Sequence, residues 1–70
     1  MKLLVNGEPR DHAVETVAAL FRVEAEETGI DSPQGIAIAL NGSVVRRRDW
    51  RTTPLAEGDR VEIVRAMQGG

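Results

Sequence analysis

The sequence predicts an α+β domain in which one helix lies across one face of a mixed sheet of four to five strands. Three observations predict it. A single segment carries helical periodicity. Short segments of strand periodicity stand both before and after that helix. Two Asn-Gly pairs, Asn6-Gly7 and Asn41-Gly42, mark tight turns between strands.

The first strand is Lys-Leu-Leu-Val, with Leu3 and Val5 on one face and Lys2 and Leu4 on the other. After the Asn6-Gly7 turn, Glu8 to Ala13 is a polar second strand. Pro9 lacks a ladder donor, which places this strand at an edge. The helix follows, with Thr16 as N-cap and Gly29 as its C-terminal stop. Val17, Leu20, Phe21 and Ala25 form its apolar stripe, while Glu24, Glu26 and Glu27 fall to the polar side. Asp-Ser-Pro-Gln-Gly is a loop by composition. In Ile-Ala-Ile-Ala-Leu, the residues Ile36, Ile38 and Leu40 suit a core face, and Ala37 and Ala39 the opposite one. Asn41-Gly42 turns the chain into a short strand beginning at Val44-Val45. Trp50 suits a half-buried cap of the core whose ring N–H reaches a carbonyl. Pro54, Leu55 and Gly58-Asp59 set a loop, with Leu55 as its anchor. The last strand starts at Val61, with Val61 and Ile63 sharing a face. The first and last strands, being the most apolar, are expected side by side at the centre. This arrangement is the β-grasp, with residues 1–66 as the domain and 67–70 as a flexible tail ending in Gly-Gly.

The totals exclude several classes of function. Seventy residues make one small domain. There is no cysteine and only one histidine, which removes a disulfide framework, a thiolate metal site and a His-rich metal site. The net charge of −2 argues against nucleic acid as the main partner. No apolar run reaches membrane-spanning length, and the N-terminal stretch meets a turn too early for a signal peptide. A cytoplasmic protein with no membrane partner is the expectation.

No catalytic site can be assembled. His12 reads as a surface histidine on the polar strand, and Ser32 and Ser43 sit in turns with nothing to place them beside it. No glycine pattern fits a phosphate loop, and no metal site is expected. Arg46, Arg47 and Arg48 read as solvated surface. Two features exceed ordinary surface. If the helix covers the face of Leu3, Val5, Ile38 and Val61, then Leu4, Ala37, Ala39, Val64 and Ala66 point outward as a flat patch for a partner. The second feature is the tail Met67, Gln68, Gly69 and Gly70. It can extend roughly 13 Å at about 3.3 Å per residue, and glycines without Cβ can thread a narrow channel. The carboxylate of Gly70 could then be activated by another enzyme as an acyl-adenylate. Two glycines alone do not distinguish such an end from a frayed one.

Further motifs run through the second half: Ala-x-Asn-Gly at Ala39 to Gly42, Val-Val-x-Arg at Val44 to Arg47, Trp50, and Pro-Leu-x-x-Gly-Asp-x-Val-x-Ile-Val from Pro54 to Val64. With Gly69-Gly70 they make the chain closely resemble the ThiS/MoaD ubiquitin-like family, and in particular ThiS, the sulfur carriers of thiamine thiazole synthesis. The likeness is strong from Ile36 onward and weaker before. Arg46 stands where many relatives carry proline. The resemblance implies a carrier that is a protein co-substrate rather than an enzyme and binds no cofactor itself. A ThiF-like adenylyltransferase would use ATP and magnesium to adenylate Gly70. A cysteine desulfurase or similar donor would supply sulfur as a persulfide, giving a terminal thiocarboxylate. A ThiG-like thiazole synthase would take that sulfur, and Arg47 and the outward patch would meet these partners. Alternatives are a MoaD-like carrier for molybdopterin synthesis, a ubiquitin-like protein modifier, and a regulatory β-grasp domain. Only the last should tolerate a residue appended to Gly70.

Overall fold

The computed structural model describes residues 1–30 and 32–65. Ala66, Met67, Gln68, Gly69 and Gly70, the expected tail with one outward residue, lie outside the described residues, as does Asp31 of the loop.

Strand β1, Lys2–Val5, turns through Asn6 and Gly7 into β2, Glu8–Asp11. Both turn residues have positive φ, 52° and 81°, the geometry that an Asn-Gly turn supplies. The strands pair antiparallel, with Leu4 opposite Pro9, and β2 lies at the sheet edge as its proline requires. It ends at Asp11, two residues earlier than the polar run suggested. Helix α1 spans Val17–Thr28. Thr16 caps it by accepting the Ala19 N–H at 3.2 Å. Gly29 closes it at φ 78°, and the Ile30 N–H returns to the Ala25 carbonyl at 2.9 Å.

Strands β3, Ile36–Leu40, and β4, Ser43–Val45, form the second hairpin around Asn41-Gly42. The arginine run after β4 enters a 3-10 turn over Arg47–Asp49. Strand β5, Arg60–Arg65, completes a five-stranded sheet in the order β2-β1-β5-β3-β4. Its pairing with β1 is parallel and with β3 antiparallel, so the first and last strands are neighbours as expected. Both turn asparagines bind β5. The side-chain Oδ1 of Asn6 accepts the Ile63 N–H at 2.8 Å, and Oδ1 of Asn41 accepts the Arg60 N–H at 2.9 Å. Each residue therefore sets a turn and holds the central strand.

One face of the sheet and α1 enclose the core: Leu3, Val5, Val14, Val17, Leu20, Ile38, Trp50, Leu55 and Val61. Trp50 is more deeply placed than a half-buried cap, at 5 % exposure. Its indole N–H donates to the Val45 carbonyl at 2.9 Å, as its type requires. Phe21 is half-buried and stacks against it, ring centres 5.1 Å apart.

Two sequence expectations need correction. Glu24 is buried among the core-facing residues of α1 and does not lie on the polar side. Val17, Leu20 and Glu24 are spaced i, i+3, i+7, which puts all three on one helical face. His12 is not a free surface histidine. Its Nε2 lies 2.7 Å from a Glu24 carboxylate oxygen, and both side chains are largely covered. A carboxylate removed from water needs a partner, and His12 at the end of β2 supplies it.

Candidate functional site

No side chain among the described residues is arranged for catalysis. His12 is engaged by Glu24, and the Ser32 hydroxyl accepts the Gln34 N–H within its own turn. His12, Glu24 and Glu27 do bring ligand atoms within 4.8 Å of one another. Arg10 already supplies positive charge there, 3.5 Å from Glu27 and 4.0 Å from Glu24. A cation would have to displace it, so the cluster reads as an internal ion network tying β2 to α1.

The opposite face of the sheet is uncovered. Alternation along β1, β3 and β5 turns Leu4, Ala37, Ala39 and Val64 away from the core. Leu4 is 37 % exposed and Val64 57 %; Ala37 is exposed and Ala39 half-buried. Register places Ala37 beside Val64, and Ala39 between Val44 on one side and Glu62 on the other. The alanines lack bulk beyond Cβ, so β3 forms a low strip between the taller Val44 and Val64. Val44, 73 % exposed, is the residue that sequence reasoning missed. Its signal was present: Val45 pairs with the buried Ile38, so Val44 must face outward with Ala39.

The five outward residues do not form one unbroken apolar sheet. Arg60 lies beside Leu4, and Glu62 beside Ala39, so the charged column of β5 separates Leu4 from the group on β3 and β4. Arg47 stands exposed on the 3-10 turn, two residues beyond the end of β4. The face is therefore divided: an apolar group of Ala37, Ala39, Val44 and Val64 lies on one side of Arg60 and Glu62, and Leu4 on the other. Strand β5 carries the chain through the middle of this face to Arg65. Five residues then remain to Gly70, which at about 3.3 Å each bounds its reach from Arg65 at about 17 Å.

No helix among the described residues is long and apolar enough to cross a membrane. Comparison with known proteins gives a consistent set. The ThiS family matches residues 3–70. The chain is 36% identical over 66 residues to the sulfur carrier protein ThiS of Thermus thermophilus, covering 94% of this chain and 95% of that one. It is 35% identical over 71 residues to a thiazole synthase of Paramagnetospirillum magneticum, where the whole chain spans only 20% of that protein. Among solved structures, the crystal structure of a ThiS thiamine biosynthesis protein from Geobacter metallireducens superposes with TM-score 0.76 at 30% identity, all of both chains being covered. A solution structure of a thiamine biosynthesis protein from the same organism gives TM-score 0.73 at 32% identity, over all of this chain and 88% of the other.

Proposed function

The chain belongs to the ThiS family, and on that premise we propose that it is a sulfur carrier of thiamine biosynthesis whose working atom is the Gly70 carboxylate. One observation carries this: the family match runs to residue 70 and so includes Gly69-Gly70. The chemistry takes place on the protein and is performed by its partners. A bare carboxylate is a poor electrophile. A ThiF-like enzyme adenylates it with ATP and magnesium, releasing pyrophosphate. The outer sulfur of a persulfide displaces AMP to form an acyl disulfide; a second thiol then cleaves its S–S bond, so that the terminus leaves as a thiocarboxylate and the two thiol sulfurs end as a disulfide. The chain contributes a narrow glycine end, a domain by which the enzymes hold it, and no cysteine to compete as nucleophile.

The acceptor in this scheme is a ThiG-like thiazole synthase. The thiazole synthase relative, which contains a segment similar to this whole chain, supports that choice over molybdopterin synthesis. The outward face of Leu4, Ala37, Ala39, Val44 and Val64 docks the adenylating enzyme, with Ala66 and Arg47 as its expected neighbours.

ATP–pyrophosphate exchange with the ThiF-like enzyme tests the scheme. The chain with Gly70 as its free terminus should support exchange, and a chain with one alanine appended should not. Equal exchange by both would refute the role of Gly70.

A further inference from the structure

Residues 46–51, Arg-Arg-Arg-Asp-Trp-Arg, hold half of the chain's eight arginines. Their four arginines and one aspartate give +3 in a chain of net −2, which leaves −5 for the rest. Arg46, Arg47, Arg48 and Arg51 are all exposed, and none forms an ion pair with a described residue. Arg22 of α1 lines the same surface depression as Trp50 and Arg51, with Glu26 also on its wall.

The backbone beneath this ridge is tied down. The Trp50 carbonyl accepts the Ala18 N–H at 2.9 Å, and the Thr53 hydroxyl donates to the Asp49 carbonyl at 2.6 Å. The Asp49 N–H closes the turn on the Arg46 carbonyl at 2.8 Å. The buried Trp50 ring anchors the segment from below. None of these bonds uses an arginine side chain. Arg46 itself sits at φ −64° and ψ 144°, angles that proline would hold at lower entropic cost. The fold does not require arginine at these positions, and clustered like charges repel one another.

We propose that this arginine ridge, with the exposed Val44 beside it, is an electrostatic docking surface for an acidic face of a protein partner, namely the enzyme that adenylates Gly70; the choice of partner rests on the sulfur-carrier function proposed above. Arginine suits the role because its weakly hydrated, planar group pairs with carboxylates two bonds at a time. Val44, exposed two residues before Arg46, is an apolar neighbour of the ridge along the chain. A long polyanion fits less well. Glu26 and Glu27 of α1 and Glu8 and Asp11 of β2 leave the rest of the surface acidic, whereas nucleic acid needs an extended basic face.

The test is the association rate of the full chain with the ThiF-like enzyme of the same organism, at about 20 mM and about 500 mM NaCl. The variant R46E/R48E/R51E should associate about tenfold or more slowly at low salt, within the range of electrostatic steering. R46Q/R48Q/R51Q should fall between it and the unaltered chain, because charge and not size sets the rate. The differences should close at high salt. Circular dichroism melting checks that all three chains fold. Equal rates at low salt, or no association of the unaltered chain, overturn the proposal. So does binding of a short DNA duplex by the unaltered chain that the Glu variant loses. Deleting Gly70 separates the two hypotheses: exchange activity should vanish while the salt-dependent association rate stays.

Discussion

The two faces of the sheet obey opposite rules. On the inner face Leu3, Val5, Ile38 and Val61 are 1–3 % exposed. On the outer face Leu4, Val44 and Val64 are 37 %, 73 % and 57 % exposed. Both sets come from one sheet: Leu4 lies between Leu3 and Val5 on β1, and Val61 and Val64 share β5, because successive side chains point to opposite sides. The inner residues are held by packing against α1 and Trp50. Nothing among the described residues packs against the outer ones. Their apolar character serves no core, so it is available to a partner. The difference separates what the fold needs from what it leaves uncovered.

The sharpest way to break this division is at the inner face. Ile38→Ala should cost about 3 kcal/mol, the range for a large buried aliphatic truncated to alanine. That is a large share of the stability a chain of this size can have. Urea denaturation with an unchanged slope checks it. The buried polar pair is the next test. Glu24→Ala leaves the His12 ring and Arg10 without their covered partner and should cost about 2 kcal/mol. His12→Leu combined with Glu24→Leu removes the pair together, leaves Arg10 its partners Glu8 and Glu27, and should cost less than the single change. A larger loss in the double variant would show that the pair does more than satisfy itself.

At the outer face the effects should move from stability to binding. Ala39→Arg should leave the melting temperature nearly unchanged and weaken the adenylating enzyme's affinity about tenfold, or ~1.4 kcal/mol. Unchanged affinity would remove the patch from the account while leaving Gly70 in place. Val44→Ser should shift stability by no more than about 0.5 kcal/mol, as an exposed position allows. It should weaken the same complex by only a few-fold.

Local chemistry made most of the fold legible. The Asn-Gly pairs, the Thr16 cap, the Gly29 stop and the proline of the edge strand each act within a few residues, so sequence alone displays them. What escaped depends on distance. Glu24 looked like one glutamate among three, although its i+7 offset from Val17 placed it inward. His12 has meaning only beside Glu24, twelve residues away and on another element. The bonds from Asn6 and Asn41 to β5 cross the sheet and have no local signal. Val44 needed the register with β3 before its direction could be read. The Gly69-Gly70 pair reads as a motif in the sequence, and it lies outside the described residues.

The central claim is that Gly70 receives sulfur. The direct measurement is mass spectrometry of the C-terminal peptide after incubation with the ThiF-like enzyme, ATP, cysteine and the sulfur donor, followed by a thiol-reactive alkylating label. Intact mass alone would not serve, since oxygen-to-sulfur exchange is nominally the same as oxidation of Met1 or Met67. The chain has no cysteine to take up the label. The account predicts a label on Gly70 that requires ATP. An unlabelled terminus on a chain that the enzyme has adenylated would contradict it.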